Sequence, residues 1–315
     1  MNDYQGWKFT GAGKPMEYGL FSLPALQDDE ILVENVAAGI NPVDWKFIKD
    51  NPLNWPEGQV PGVDGAGKVV ATGEAATQMM NQRVAYHQSL KLPGSFATHT
   101  IVKANRAVTV PAAMPMTVAA SLPCPLSTAL LAFSKVPNVA HKDVLVVGMG
   151  AVSKWITQFL HEQGAHVSVL SSSFSEEDKA VFGVDKLIHN QSAIAAKYFA
   201  IFDTKGEDNA RQLVPHLRAN GHIVCIQGRI NTPVDPQFTR AISYHEVALG
   251  PLHQYGDKHD WQVLMAMNAQ RFNDIVTDKL AMEKPGVFPA SELPQALAHS
   301  ETSRQKTVIE WRRYD

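Results

Sequence analysis

The chain has 315 residues, of which 19% are charged and 45% are hydrophobic, and its formal net charge is -3. This length exceeds one ordinary core and suits two domains, while the composition is that of a folded globular protein. The slight negative net charge predicts that nucleic acid is not a partner. The sequence has no run of about 18 apolar residues, so we expect neither a membrane span nor a membrane partner. The N-terminus lacks a leader pattern and only Cys124 and Cys225 are present, so we expect a cytoplasmic protein without disulfides.

The first part of the chain, up to about residue 112, has short β-rich runs such as EILVENVAAGI and QRVAYHQ, broken by Gly and Pro. This pattern predicts a small antiparallel barrel. From Thr117 onwards Ala and Leu recur at helical spacing, and a buried-strand run, DVLVVG, follows at Asp143 to Gly148. This change of texture predicts a domain boundary.

The second part of the chain alternates β and α patterns. After DVLVVG come the amphipathic run VSKWITQFLHEQG, the strand HVSVL, and β runs KLI, AIFD, HIVCI and EVALG (residues 246–250), with helical stretches such as NARQLVPHLRANG between them. Such alternation predicts an α/β fold with a parallel, doubly wound sheet. The last segments, SELPQALAHSE and KTVIEW, predict a helix and a strand that return to the first domain.

A glycine turn lies between the buried strand and the amphipathic helix. Gly148, Gly150 and Ser153 take the three places of a G-x-G-x-x-G pattern, with Ser as a departure at the third. The glycines allow a tight turn and a close approach of a pyrophosphate, and the helix N-terminus offers free N–H groups. We therefore predict a dinucleotide site, although a plain strand-to-helix turn is the alternative.

The end of the second strand indicates which dinucleotide is preferred. NAD sites place an Asp or Glu there for the ribose 2′-hydroxyl, whereas this strand ends in Ser171, Ser172 and Ser173, with Lys179 following. Hydroxyls and a nearby cation suit a 2′-phosphate, so we predict NADPH. The alternative is that the serines only end the strand and cap the helix that begins near Glu176.

The chain resembles the medium-chain dehydrogenase/reductase superfamily, specifically its zinc-free quinone oxidoreductase-like branch. The resemblance covers nearly the whole chain and rests on AAGINPVDWK, VPGVDGAGKVV, QRVAY, GSFA, AASLPCPLSTAL, VLVVGMGAVS and FDTKG. It implies a GroES-like β-barrel catalytic domain at 1–112 and 280–315, and an inserted Rossmann NADP-binding domain at 113–279.

The sequence lacks the zinc ligands that the alcohol dehydrogenases of this superfamily carry in these segments, a catalytic Cys and a GHE triplet. Asn41 replaces the Cys and Val63 replaces the His, while Asp64 and Cys124 stand where other ligands occur. Two scattered donors fall short of the three or four that Zn²⁺ needs, so we predict no metal.

The remaining site residues come from the resemblance. Asn41 and Thr128 would lie near the nicotinamide end, Gly228 at the strand that meets the nicotinamide, and Arg304 would supply a basic group, although Asn190 replaces an expected Tyr. Tyr86 and His87 are the candidates for proton delivery, and the alternative for His87 is a place on the surface or a role in supporting a neighbouring site residue. The predicted cofactor contacts are Asn41, Thr128, Gly148, Met149, Gly150, Ala151, Val152, Ser171, Ser172, Ser173, Lys179, Gly228 and Arg304.

Together these features predict an NADPH-dependent oxidoreductase, active as a homodimer, that transfers hydride to a small electrophilic substrate: a quinone, an enone or a related activated carbonyl. Two alternatives stay open. One is a zinc-dependent alcohol dehydrogenase with atypical ligands, and the other is a non-catalytic dinucleotide-binding protein.

Overall fold

A computed structural model describes residues 3–303 and 305–311. The chain divides into two compact units, the first formed by 1–124 and 250–315 and the second by 125–249. The predicted contact Arg304 lies outside the described residues. None of the helices in the described ranges is long and apolar enough to cross a membrane.

The elements are numbered in chain order. The strands are β1 Asp3–Lys8, β2 Glu17–Ser22, β3 Glu30–Ile40, β4 Asp64–Thr72, β5 Arg83–His87, β6 His99–Lys103, β7 Ala107–Thr109, β8 Asp143–Val147, β9 His166–Leu170, β10 Lys186–Ile188, β11 Tyr198–Asp203, β12 Leu217–Cys225, β13 Ser243–Glu246, β14 Gly286–Pro289 and β15 Thr307–Glu310. The helices are α1 Pro42–Asp50, α2 Met116–Ala120, α3 Pro123–Phe133, α4 Ala151–Glu162, α5 Glu176–Val181, α6 Glu207–Leu213, α7 Leu252–Tyr255, α8 Lys258–Val276 and α9 Leu293–Ser303.

The first unit is built on a mostly antiparallel sheet in the order β14-β15-β3-β4-β5-β7, with β6 on β3 and a separate β1-β2 ribbon. Strand β3 changes partner along its length, because Glu30–Glu34 pairs with β6 while the end of the strand, Ala37 to Ile40, pairs with β15. Register shifts in its pairing with β4 accompany this change. The pairing of β15 with β3 confirms that the tail of the chain returns to this unit.

The two units begin and end at other residues than predicted: the predicted boundaries were 112/113 and 279/280, whereas the second unit comprises 125–249. Helix α2 packs on β3 and β4, and helix α8 packs on β7 and on the turn 104–106. Trp261 of α8 is buried, with the Arg106 guanidinium 5.2 Å from its ring centre. Residues 113–124 and 250–279 therefore lie in the first unit.

The second unit holds a parallel sheet in the order β10-β9-β8-β11-β12-β13. This is the 3-2-1-4-5-6 order of a doubly wound sheet, and the order reverses between β8 and β11. Val144 to Val147 of β8 are fully buried, as expected for a central parallel strand covered on both faces. The predicted Rossmann-type fold is confirmed.

Two element predictions in this unit were wrong. The strand predicted at 246–250 lies at Ser243–Glu246, where Ser243 and Tyr244 pair with β12. The helical stretch predicted over NARQLVPHLRANG ends at Leu213, and β12 already begins at Leu217. Leu217 is buried beside Tyr198 of β11, so pairing to the sheet overrides the local helical pattern.

Candidate active site and nucleotide-binding turn

The turn after β8 needs glycine at its first position. Gly148 has a φ of +83°, and a Cβ there would lie 2.6 Å from Oγ1 of Thr204. That hydroxyl donates a hydrogen bond of 2.6 Å to the carbonyl of Val147, so it is held in place. Both conformation and space therefore exclude a larger residue.

Helix α4 begins after Gly150, and its N-terminus is open. A Cβ at Gly150 would meet no atom within 4 Å, and no side chain of the described residues caps the first turn. Met149, Ala151 and Val152 are partly exposed around it. The uncapped N–H groups, the positive end of the helix dipole and the free space above Gly150 fit a phosphate group. Ser153, at the third place of the pattern, is fully buried.

The serines after β9 lie at the same sheet edge as the glycine turn, because β9 pairs in parallel with β8 and Leu170 is opposite Val147. Ser171 is buried and accepts a hydrogen bond of 3.3 Å from the amide of Ser173, while Ser172 and Ser173 are exposed. They do not cap α5.

The cap of α5 is Ser175, whose hydroxyl accepts from the amide of Asp178. Lys179, predicted to bind the 2′-phosphate, has its Nζ 3.1 Å from the Glu176 carboxylate. Its charge is thus shared with an acidic neighbour on the same helix turn.

The two other predicted contacts in this unit are more isolated. Thr128 is partly exposed on α3, and Gly228 is exposed three residues beyond the end of β12 with a φ of +77°. Within the described residues, the Thr128 hydroxyl makes no hydrogen bond that would assign it a role, and Gly228 has no side chain to do so.

In the first unit, Asn41 belongs to a buried polar network. Its amide Nδ2 donates to Asp64 Oδ2 at 2.8 Å, and its Oδ1 accepts from Lys306 Nζ at 2.6 Å. Lys306 Nζ also lies 3.5 Å from Asp64 Oδ2 and donates to the carbonyl of Ile40 at 3.1 Å. Both ends of the Asn41 amide are thus engaged within the protein, whereas the resemblance implied that it binds ribose hydroxyls.

Asp64 lies at the centre of this network and is fully buried. Its Oδ2 also accepts from the backbone amide of Cys124 at 3.0 Å. Burial raises the pKa of Asp64 to about 6, against the lowering effects of the Lys306 charge and the Asn41 hydrogen bond. No group of three or more His, Cys, Asp or Glu side chains in the described ranges is arranged to hold a metal ion.

A second carboxylate, Asp44, fixes the start of α1 next to this network. It accepts hydrogen bonds from the backbone amides of Asn41, at 2.7 Å, and Val63, at 3.1 Å. Burial raises the pKa of Asp44 to about 7 despite these bonds. Asp44 is fully buried, so it does not form a surface pair with Lys46.

Tyr86 and His87, the two candidates for proton delivery, project to opposite sides of β5 because side chains alternate along a strand. Tyr86 packs with Val33, Val69 and other apolar residues in the barrel core, and its hydroxyl donates to Asn35 at 2.7 Å. Burial raises the pKa of Tyr86 well above its usual value of 10.0. This position does not support Tyr86 as a proton donor, and we correct that prediction to a structural role.

His87 lies beside the Asp64 network, because the two residues are cross-strand partners of β4 and β5. It is buried, with 5% of its surface exposed, and its Nδ1 lies 2.9 Å from Nε2 of His253. Burial lowers the pKa of His87 well below 6.5, and His253 and the Lys306 charge lower it further. The burial of His87 excludes a place on the surface. Its lowered pKa leaves the imidazole neutral near pH 7, which favours hydrogen bonding over proton donation from an imidazolium.

Two residues of these networks, Lys306 and Arg106, escaped sequence reasoning, and nothing in the sequence joins His253 to His87. Lys306 precedes the strand TVIE, and its place beside Asn41 depends on the register that sets Thr307 opposite Ile40. A lysine just before an apolar strand was the only signal. His253 and Arg106 lie 147 residues apart, so no local pattern joins them.

Residues 27–112 match the family described as "Alcohol dehydrogenase GroES-like domain", and residues 136–232 match the family described as "Putative NAD(P)-binding". The two matches fall on the barrel of the first unit and on the parallel sheet of the second.

The chain is similar to a 2-methylene-furan-3-one reductase of Solanum lycopersicum, with 28% identity over 251 residues that cover 74% of this chain and 64% of that protein. It is also similar to a chloroplastic NADPH-dependent alkenal/one oxidoreductase of Arabidopsis thaliana, with 27% identity over 297 residues, 89% of this chain and 71% of that protein. The first match thus spans a little under two thirds of the relative's length.

Among solved structures, the quinone oxidoreductase from Coxiella burnetii matches with a TM-score of 0.78 and 20% identity, over 98% of this chain and 100% of that one. This likeness shows a common fold.

Proposed function

We propose a reductase function from the premise that the chain belongs to the medium-chain dehydrogenase/reductase superfamily. The proposed reaction is the NADPH-dependent reduction of a conjugated enone, a quinone or a related activated carbonyl. The observation that carries the proposal is the open, uncapped helix start at Gly150, at the sheet edge where the strand order reverses. The names of the two plant relatives support an enone as the substrate class.

NADPH fits the residues of the second unit. Its pyrophosphate would be held by the N–H groups at Gly150, Ala151 and Val152, and its 2′-phosphate by the hydroxyls of Ser172 and Ser173, which are exposed at the end of β9. No acidic side chain stands at 171–175 to repel a 2′-phosphate. When bound, NADPH supplies the hydride for the reduction.

In the first unit, we assign to His87 the contact with the substrate oxygen. As the electron-poor carbon of an enone takes up the hydride, the π electrons of its double bond move towards the carbonyl oxygen, which becomes an enolate oxygen. A neutral imidazole with a free N–H stabilises that charge by hydrogen bonding, and water supplies the proton that completes the product.

We further propose that the reaction uses no metal ion. The Asp64 carboxylate, which stands where other members of the superfamily have a ligand, already accepts from Asn41 and Cys124 and lies beside the Lys306 ammonium. Lys306 thus supplies the compensating positive charge for this carboxylate. A cytoplasmic location and a homodimer complete the proposal.

The test is NADPH consumption by the purified protein with a panel of enones, quinones, saturated ketones and primary alcohols. We expect turnover with enones or quinones, a kcat reduced by about 100-fold in His87→Phe, and no effect of added Zn²⁺ or a chelator. Tight NADPH binding without turnover on any member of the panel would instead indicate a non-catalytic binding protein.

A further inference from the structure

His87 ends a chain of three hydrogen-bonded side chains within the first unit. Arg106 Nη1 lies 3.0 Å from His253 Nδ1, and His253 Nε2 lies 2.9 Å from His87 Nδ1. Arg106 is further tied to the backbone carbonyl of His253 through Nη2, at 3.3 Å, and stacks over Trp261, whose ring also packs on His253.

The direction of every bond in this chain follows from its first member. A guanidinium only donates, so Nδ1 of His253 must accept and carries no proton. A neutral His253 then has its proton on Nε2 and donates it to His87 Nδ1. His87 Nδ1 is therefore the acceptor, and the only proton of a neutral His87 is on Nε2.

Nε2 of His87 is the free end of the chain. It makes no hydrogen bond within the described residues, and His87 keeps 5% of its surface exposed. The N–H at this position is available to an acceptor atom of a ligand.

The charges around the chain keep both imidazoles neutral. Burial, followed by the charge of Arg106, lowers the pKa of His253 to about 3. The Lys306 ammonium, just before β15, also acts on His87, and Asp64 of β4 is the cross-strand partner of His87 and lies 3.5 Å from that ammonium. Protonation of either histidine would place a second positive charge beside Arg106 or Lys306.

We propose that Arg106 and His253 are positioning residues that hold His87 in a single tautomer, with its Nε2–H presented to the carbonyl oxygen of the substrate. The catalytic consequence rests on the proposed reductase function, whereas the tautomer does not. A donor fixed in this way selects substrates whose developing negative charge lies on oxygen, as in conjugated enones and quinones.

The tautomer is measured directly by ¹H–¹⁵N correlation spectra of the histidine rings in the full chain, with His87 assigned from the signals lost in His87→Gln. We expect an unprotonated Nδ1 and a protonated Nε2 from about pH 5.5 to 8, the range in which an ordinary histidine titrates. In His253→Leu we expect a mixture of tautomers and titration of His87 closer to 6.5. A proton on Nδ1 of the wild-type His87, or an unchanged spectrum of His87 in His253→Leu, would overturn the proposal.

Kinetics supply the second readout. We expect kcat for an enone to fall about tenfold in His253→Leu and in Arg106→Met with a smaller change in KM, and to recover in part in His253→Gln and Arg106→Lys, which keep a donor. The matched control is His245→Leu. It breaks a comparable histidine pair that is not part of the Arg106–His253–His87 series, His222 Nδ1 to His245 Nε2 at 3.0 Å. Equal losses in the control, or full activity of His253→Leu, would contradict a positioning role.

A wrong tautomer of His87 and the absence of reductase activity give different results. If the wild-type protein reduces no enone or quinone, the reductase function fails, yet the spectra still decide the tautomer. If His253→Leu is unstable, Arg106→Met replaces it in the spectra, because loss of the guanidinium removes the donor that keeps Nδ1 of His253 unprotonated, and we again expect a mixture of His87 tautomers.

Discussion

At the scale of single residues, Lys306 compensates a buried negative charge. Its ammonium donates to Asn41 and lies 3.5 Å from Asp64, which is fully buried, and only 12% of the Lys306 side chain is exposed. A buried carboxylate without its cation carries most of its desolvation cost uncompensated. The network therefore stabilises the first unit chiefly through Lys306.

Replacement of this lysine has an effect on stability that depends on pH. The folded-state pKa of Asp64 is raised to about 6, so stability falls as pH rises from the unfolded value of 3.8 to about 6. Lys306→Met raises this pKa further, because Lys306 lowers it, and extends the fall to higher pH. We expect a loss of about 3 kcal/mol at about pH 8 and a smaller loss at about pH 5, from denaturant unfolding.

The control is Lys279→Met, which removes an exposed lysine of the same unit and should change the unfolding free energy by less than about 0.5 kcal/mol. An equal loss of unfolding free energy in Lys306→Met at both pH values would show that the ionised state of Asp64 does not depend on Lys306.

At the scale of elements, the two glycines of the turn before α4 have different roles. Gly148 is required by the backbone, since its φ is +83° and a Cβ would collide with Thr204, whereas Gly150 has empty space above it. The first glycine serves the fold and the second leaves room for a ligand.

Alanine substitutions separate these roles. Gly148→Ala should cost about 1–2 kcal/mol of unfolding free energy, whereas Gly150→Ala should change it by less than about 1 kcal/mol. Gly150→Ala should nonetheless weaken NADPH binding by about tenfold in a fluorescence titration, because its Cβ takes up the space needed for the pyrophosphate. If Gly150→Ala bound NADPH like the wild type, the phosphate would not sit on this turn.

The proposed determinant of the cofactor preference is the end of β9. We expect NADPH to bind at least about tenfold more tightly than NADH, and Ser172→Asp, at an exposed position, to reverse the order, because a carboxylate repels the 2′-phosphate and accepts from a 2′-hydroxyl. Ser175→Asp adds the same charge at a position where Asp is an equally good helix cap, so it serves as the control. Equal affinities of the wild-type protein for both cofactors would contradict the preference.

At the scale of the whole molecule, the fold followed from hydrophobic patterning, and the site followed only in part. The run DVLVVG, the helix after it and the return of KTVIEW were predictable because period and burial are local properties of the chain. Gly148 and Gly150 were predictable for the same reason, as a turn between two such elements.

The rest of the site depends on long-range pairing. Lys306 reaches Asn41 only through the register of β15 on β3, and His253 reaches His87 from a segment 166 residues away. The burial of Tyr86 was missed because a strand of mainly apolar residues does not reveal which face carries the site. The ion pair of Lys179 with Glu176, one helix turn before it, was not predicted.

In the proposed function, this chain passes hydride from NADPH to the electron-poor carbon of a conjugated system. The most direct measurement uses NADPH deuterated at its hydride-donating carbon with a simple enone, followed by mass spectrometry and NMR of the product. We predict a saturated ketone with deuterium at the β-carbon and a solvent proton at the α-carbon. Deuterium on the carbonyl carbon of an alcohol product, or no labelled product while NADPH stays bound, would contradict it.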